Sequence, residues 1–172
     1  MNYLRSQTDD KKVKAYLINY FLEQFRTTLY RQTLFAEFED KINRMCYRHE
    51  TMSAESFNKV YYDLNKFYYG DDVVVDEAIQ YEWSRIPHFY MNYYVYQYST
   101  GFSAAMALSQ KMLKEGQPAI DAYLDFLKSG CTKPPVELLK DAGVDMSQKE
   151  PIQSALSLFD SLIDEMESLM AD

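Results

Sequence analysis

The chain has 172 residues, a formal net charge of -8 and 47% apolar residues, which suits one soluble globular domain with a sizeable core. The only cationic cluster is Lys11, Lys12 and Lys14, too little for a nucleic-acid binder, which needs many Lys and Arg on phosphate. No apolar stretch of about 18 residues is present, so no membrane span is predicted. Met1 to Asp10 contain no apolar signal core, so secretion is not indicated and a cytoplasmic location is expected.

Helices are predicted throughout. Thr8, Asp9 and Asp10 offer N-caps for a first helix running to His49. Val13, Tyr16, Leu17, Tyr20, Phe21 and Phe25 recur with helical spacing, and Leu29, Tyr30, Leu34, Phe35 and Phe38 continue the rhythm. A single pattern of that length is long for a globular helix, so it is expected to bend or split and to pack on a sizeable partner. Ser53 caps a second helix that Gly70 ends. Val73, Val74 and Val75 form a β-branched run with no visible partner strand. A third segment, Asp76 to Arg85, stops before Pro87. A fourth helix is predicted from His88 to Lys114, aromatic at first and small through Ser103 to Ala107, with Gly116 as its stop. Pro118, Pro134 with Pro135, and Pro151 then open three more helices, and Gly130 and Gly143 close two of them, the usual asymmetry of Pro at starts and Gly past ends. The expected fold is an all-α multi-helix bundle forming a single domain over 1–172.

Chemistry-bearing motifs are few. With two histidines, His49 and His88, there is no HExxH, and Ser53 stands where a second His after His49 would be needed. Cys46 and His49 have a C-x-x-H spacing, but a zinc site needs three or four ligands, so a buried thiol beside a surface His is expected. Cys46 and Cys131 are too few for a disulfide framework and are expected to be reduced. The sequence has no Gly-rich phosphate loop, and nothing in it pairs either thiol with a base.

Tyrosine stands out, at 16 residues against a single Trp. Such a surplus suits either a partly wet groove or helix interfaces filled with phenols. The densest cluster is His88 with Tyr90, Tyr93, Tyr94, Tyr96 and Tyr98. On a continuous helix Phe89, Tyr93 and Tyr96 share one face and Tyr90 and Tyr94 line another. A His and paired phenols are suitable donors to an oxyanion formed when water attacks a peptide carbonyl. An aromatic stripe that is simply core is the competing reading.

The stretches Tyr81-Glu82-Trp83-Ser84-Arg85-Ile86-Pro87-His88-Phe89-Tyr90, Tyr94-Val95-Tyr96-Gln97-Tyr98 and Thr100-Gly101-Phe102-Ser103-Ala104-Ala105 resemble the C-terminal region of the oligoendopeptidase F family. The likeness extends to the segment Tyr20 to Glu39, to Phe67-Tyr68-Tyr69-Gly70, Phe126 to Gly130 and Leu138 to Met146, and so takes in nearly the whole chain in order. The resemblance implies the thimet-oligopeptidase-like clan of zinc metallopeptidases. These have a helical fold and a deep channel that admits oligopeptides and excludes folded proteins. It further implies that HExxH and a downstream Glu, the zinc ligands of the full enzyme, lie upstream of this chain, which would supply a wall of the channel. On that reading His88 meets the substrate near the zinc, Tyr93 and Tyr96 stabilise the oxyanion, and Tyr90 and Tyr94 are further substrate-contacting candidates.

With no metal ligands of its own and no general base, the chain alone is expected to bind no zinc and to be inactive. Its partners would be the portion carrying HExxH and an oligopeptide substrate, and isolation is expected to expose apolar surface or drive self-association. Two other readings stand beside this one: a non-catalytic helical peptide-binding module, and a structural helical domain whose tyrosines are core.

Overall fold

A computed structural model describes residues 1–171, the Asn2 side chain apart. Among them are eight α-helices and no strand: α1 (Asn2–Ser6), α2 (Lys11–Gln24), α3 (Arg31–Tyr47), α4 (Ala54–Tyr69), α5 (Tyr96–Glu115), α6 (Gln117–Lys128), α7 (Pro135–Asp141) and α8 (Glu150–Met170). A π-helical turn, Phe25–Tyr30, separates α2 from α3, and two 3₁₀ helices, Glu77–Arg85 and Pro87–Tyr90, lie between α4 and α5. The all-α expectation holds. None of the helices is long and apolar enough to cross a membrane among the described residues.

The chain divides into two compact units, Met1–Arg26 with Thr100–Asp172, and Thr27–Ser99. In the first, α2 packs on α8, and Phe25 is fully buried with Phe21, Phe102 and Phe159 around it at ring separations of 5.3, 4.9 and 5.3 Å. The small stretch of α5 does what small residues permit, burying Ser103 and Ala104. Leu108, Ala142 and Val144 form a second cluster there, under Tyr123 and Phe126.

The second unit carries the densest aromatic core. Leu34, Phe35 and Phe38 of α3 meet Tyr61 and Leu64 of α4, and Ile86 and Val95 close the cluster. Positions 34, 35 and 38 share one helix face, so their burial fixes which side of α3 points inward. Helix α4 begins as predicted: Ser53 accepts from the Ser56 N–H, and the Ser56 hydroxyl accepts in return from the Ser53 N–H, a reciprocal cap.

The first long pattern is interrupted by the π-turn, as its length led one to expect. Two expectations need correction. Cys46 is exposed, not buried, because the last turns of α3 run past the buried stripe, which ends at Glu39. The fourth helix does not start at His88. Pro87–Tyr90 is one 3₁₀ turn, residues 91–95 are irregular, and α5 opens at Tyr96. The cause is local: Asn92 and Tyr93 have φ of 38° and 54°, a left-handed backbone that no right-handed helix accommodates.

Candidate functional site

The segment 86–98 is anchored from below. Ile86 and Val95 are buried, and between them Phe89 packs its ring on Phe35 at 5.4 Å and on Phe38 at 5.1 Å. Anchors spaced in this way leave His88 half-buried and turn Tyr90, Tyr93 and Tyr94 outward. Just upstream, Glu82 ties the first 3₁₀ helix to the core, accepting from Arg31 at 2.7 Å, Arg85 at 2.5 Å and the Tyr61 hydroxyl at 2.7 Å.

The tyrosines do not form the single-face array that a continuous helix would give. The rings described against His88 are Tyr94, stacked at 5.3 Å and 16°, and Tyr98, edge-on at 5.6 Å. Tyr98 places its hydroxyl 3.4 Å from His88 Nε2. Its phenol is held above the usual tyrosine range by a hydrogen bond with Tyr94, and burial and the nearby Tyr94 charge act in the same direction. Tyr93 and Tyr96 are 48% and 49% exposed, and Tyr90 donates weakly to the Ser84 carbonyl at 3.3 Å. With Tyr90 and Tyr94 also exposed, the core-stripe reading of these phenols does not describe them.

Tyr93 is the most constrained of the set. A β-carbon in the left-handed region costs about 1–2 kcal/mol, and such a backbone persists only when its surroundings impose it. Here the Tyr93 N–H donates to Glu39 Oε1 at 2.5 Å, and Glu39 is only 6% exposed. Sequence reading left out both Glu39 and Tyr98 as site residues. Tyr98 belonged to the aromatic cluster but lacked a helix-face argument. Glu39 carried a signal, since it follows Phe38 and lies four residues after Phe35, and a carboxylate on an apolar stripe demands a partner.

What the site can do chemically is donate. It offers an imidazole and several phenols on an anchored surface. Among the described residues no group of three or more His, Cys, Asp or Glu could hold a metal ion, and a zinc centre needs three or four such ligands.

Comparison with known proteins gives this geometry its context. Residues 1–158 match the model of peptidase family M3. The chain is 54% identical over 168 residues to an oligopeptidase, PepF, of Bacillus subtilis, covering 98% of this chain and 25% of that protein. It is 40% identical to the chromosomal oligoendopeptidase F of Lactococcus lactis, covering 97% and 28%. Among solved structures it matches oligoendopeptidase-F from Enterococcus faecium with a TM-score of 0.95 and 45% identity, covering 99% of this chain and 33% of that one. The chain thus spans about a quarter to a third of the length of these relatives. Matched along nearly all of its length in sequence and in fold, the chain belongs to peptidase family M3, in its oligoendopeptidase F group.

Proposed function

We propose that this chain is part of a zinc metalloendopeptidase that hydrolyses oligopeptides in the cytoplasm, and that it contributes one wall of the substrate channel within the catalytic domain. The observation that carries this reading is the anchored segment 86–98, where His88 and exposed phenols stand over a buried aromatic core in a chain of family M3. Two zinc ligands and the general base would come from an HExxH motif that this sequence does not contain, and the third ligand from a Glu downstream of that motif and upstream of this chain. The chain's own residues bind and orient. His88, Tyr93 and Tyr96 donate hydrogen bonds to the scissile carbonyl oxygen as negative charge develops on it, which favours the transition state over the ground state. Tyr94 and Tyr98 hold the imidazole by stacking and by an edge contact, and Tyr90 and Tyr94 offer apolar faces with polar tips to the peptide.

The test is turnover of a quenched fluorescent oligopeptide. The 172-residue chain alone, with zinc and with a chelator as control, is expected to show none. In the peptidase carrying this chain with an HExxH segment, H88A, Y93F and Y96F are each expected to lower kcat by about 10²–10³, the usual cost of losing one oxyanion donor, with KM changed little. Zinc-dependent turnover by the isolated chain would refute its dependence on another segment. Full activity in all three variants would refute the donor roles and leave the channel wall as structure only.

A further inference from the structure

We infer that Glu39 is a positioning residue for the reaction: its buried carboxylate holds the Tyr93 backbone in the left-handed turn and so sets where the Tyr93 phenol stands. This rests on the reading of Tyr93 as a donor to the transition state. Glu39 lies 54 residues before Tyr93, on the helix whose Phe35 and Phe38 also seat Phe89. The stretch 89–95 is therefore held at three points: Phe89 against the two α3 rings, the Tyr93 N–H on Glu39 Oε1 at 2.5 Å, and Val95 buried in the cluster that α3 and α4 share. Of these, only the carboxylate acts on a residue with positive φ. Asn tolerates that region, so Asn92 turns at small cost, whereas Tyr93 needs an external constraint. A carboxylate this deeply buried is costly unless it is hydrogen-bonded, and the N–H it holds belongs to a residue whose side chain is half exposed. Without the acceptor, Tyr93 relaxes toward negative φ and its phenol swings away from the position the turn gives it.

The experiment is a double-mutant cycle in the active peptidase carrying this chain. E39M keeps the side chain's length and removes the acceptor. It is expected to lower kcat at least about tenfold with KM within about threefold, and to have no further effect in a Y93F background, since both changes remove one interaction. E39Q retains an acceptor oxygen and is expected to stay within about threefold of wild type in kcat. Should E39M fail to fold by circular dichroism, E39D takes its place in the same cycle, because it keeps the charge and shortens the reach. Backbone exchange gives a readout independent of activity: the Tyr93 amide is expected to exchange at least about tenfold faster in E39M. Equal loss of kcat from E39M in wild-type and Y93F backgrounds, or an unchanged Tyr93 amide, overturns the inference while leaving the donor role of Tyr93 intact. An inert Y93F removes that donor role, and the inference falls with it.

Discussion

Glu82 is the residue on which the second unit's polar balance turns. Its side chain is 8% exposed and takes hydrogen bonds from Arg31, Arg85 and Tyr61. Burial alone pushes its carboxyl upward, but the Tyr61 and Arg31 hydrogen bonds and the charges of Arg31 and Arg85 outweigh it and hold the group below the usual Glu range. Because the folded value is depressed, the stabilisation is complete above the unfolded value near 4.3 and is lost as pH falls through the folded one. Asp145, held down to about 2 chiefly by Ser147 and Lys140, adds to the same acid limb. E82Q is therefore expected to flatten this limb in part, and to cost about 2–4 kcal/mol at neutral pH by leaving Arg31 partly buried without its counter-charge. Urea denaturation at pH 7 and pH 4 reads both effects. An unchanged midpoint at pH 7 would mean that solvent satisfies Arg31. The Tyr61 phenol, raised by burial and by this carboxylate, stays protonated throughout as the third donor.

At the scale of elements, what could be read from the sequence was whatever is decided within a few residues. Ser53 at the start of α4 and Gly70 at its end were visible because a cap and a left-handed stop are local chemistry. S53A is expected to cost about 1 kcal/mol through the lost reciprocal cap. G70A is expected to cost about 1–3 kcal/mol at φ 73° and ψ -179°, a region essentially open only to Gly; a Cβ there meets nothing within 4 Å, so the cost is backbone conformation and not a clash. Thermal melts of the two variants measure this, and a neutral G70A would show that the turn can readjust. The start of α5 was not visible for the opposite reason. Its delay to Tyr96 depends on a left-handed Tyr93 held by a carboxylate from α3, and periodicity within a window cannot detect a partner 54 residues away. The same limit applies to the site. His88 and the tyrosines were identifiable as a cluster, but the pairing of His88 with Tyr94 and Tyr98 follows from where the helix breaks.

Across the whole molecule the tyrosine surplus resolves into two populations. Tyr61 is fully buried, whereas Tyr16, Tyr47 and Tyr90 are 69%, 81% and 74% exposed, and Phe67 is 77% exposed. In the first unit the apolar periodicity of α2 divides accordingly: Ile18 is buried, while Val13, Tyr16 and Tyr20 are exposed. In the second unit the exposed aromatics include the phenols around His88. Single exposed apolar residues are normal, but runs on one helix or one turn mark surfaces that meet something else. The proposed occupant is the remainder of the peptidase, since the chain covers only about a quarter to a third of the length of its relatives. In isolation such surfaces must face water or each other. The purified 172-residue chain is therefore expected to bind an apolar dye and to show, by sedimentation, a weight-average mass that climbs above 20.3 kDa with concentration. Salt separates the possible causes, because apolar association persists or strengthens in sulfate while attraction between charged surfaces weakens. Should the chain stay monomeric and dark to the dye at high concentration, these aromatics are stable in water as they stand, and no covering segment is needed to explain them.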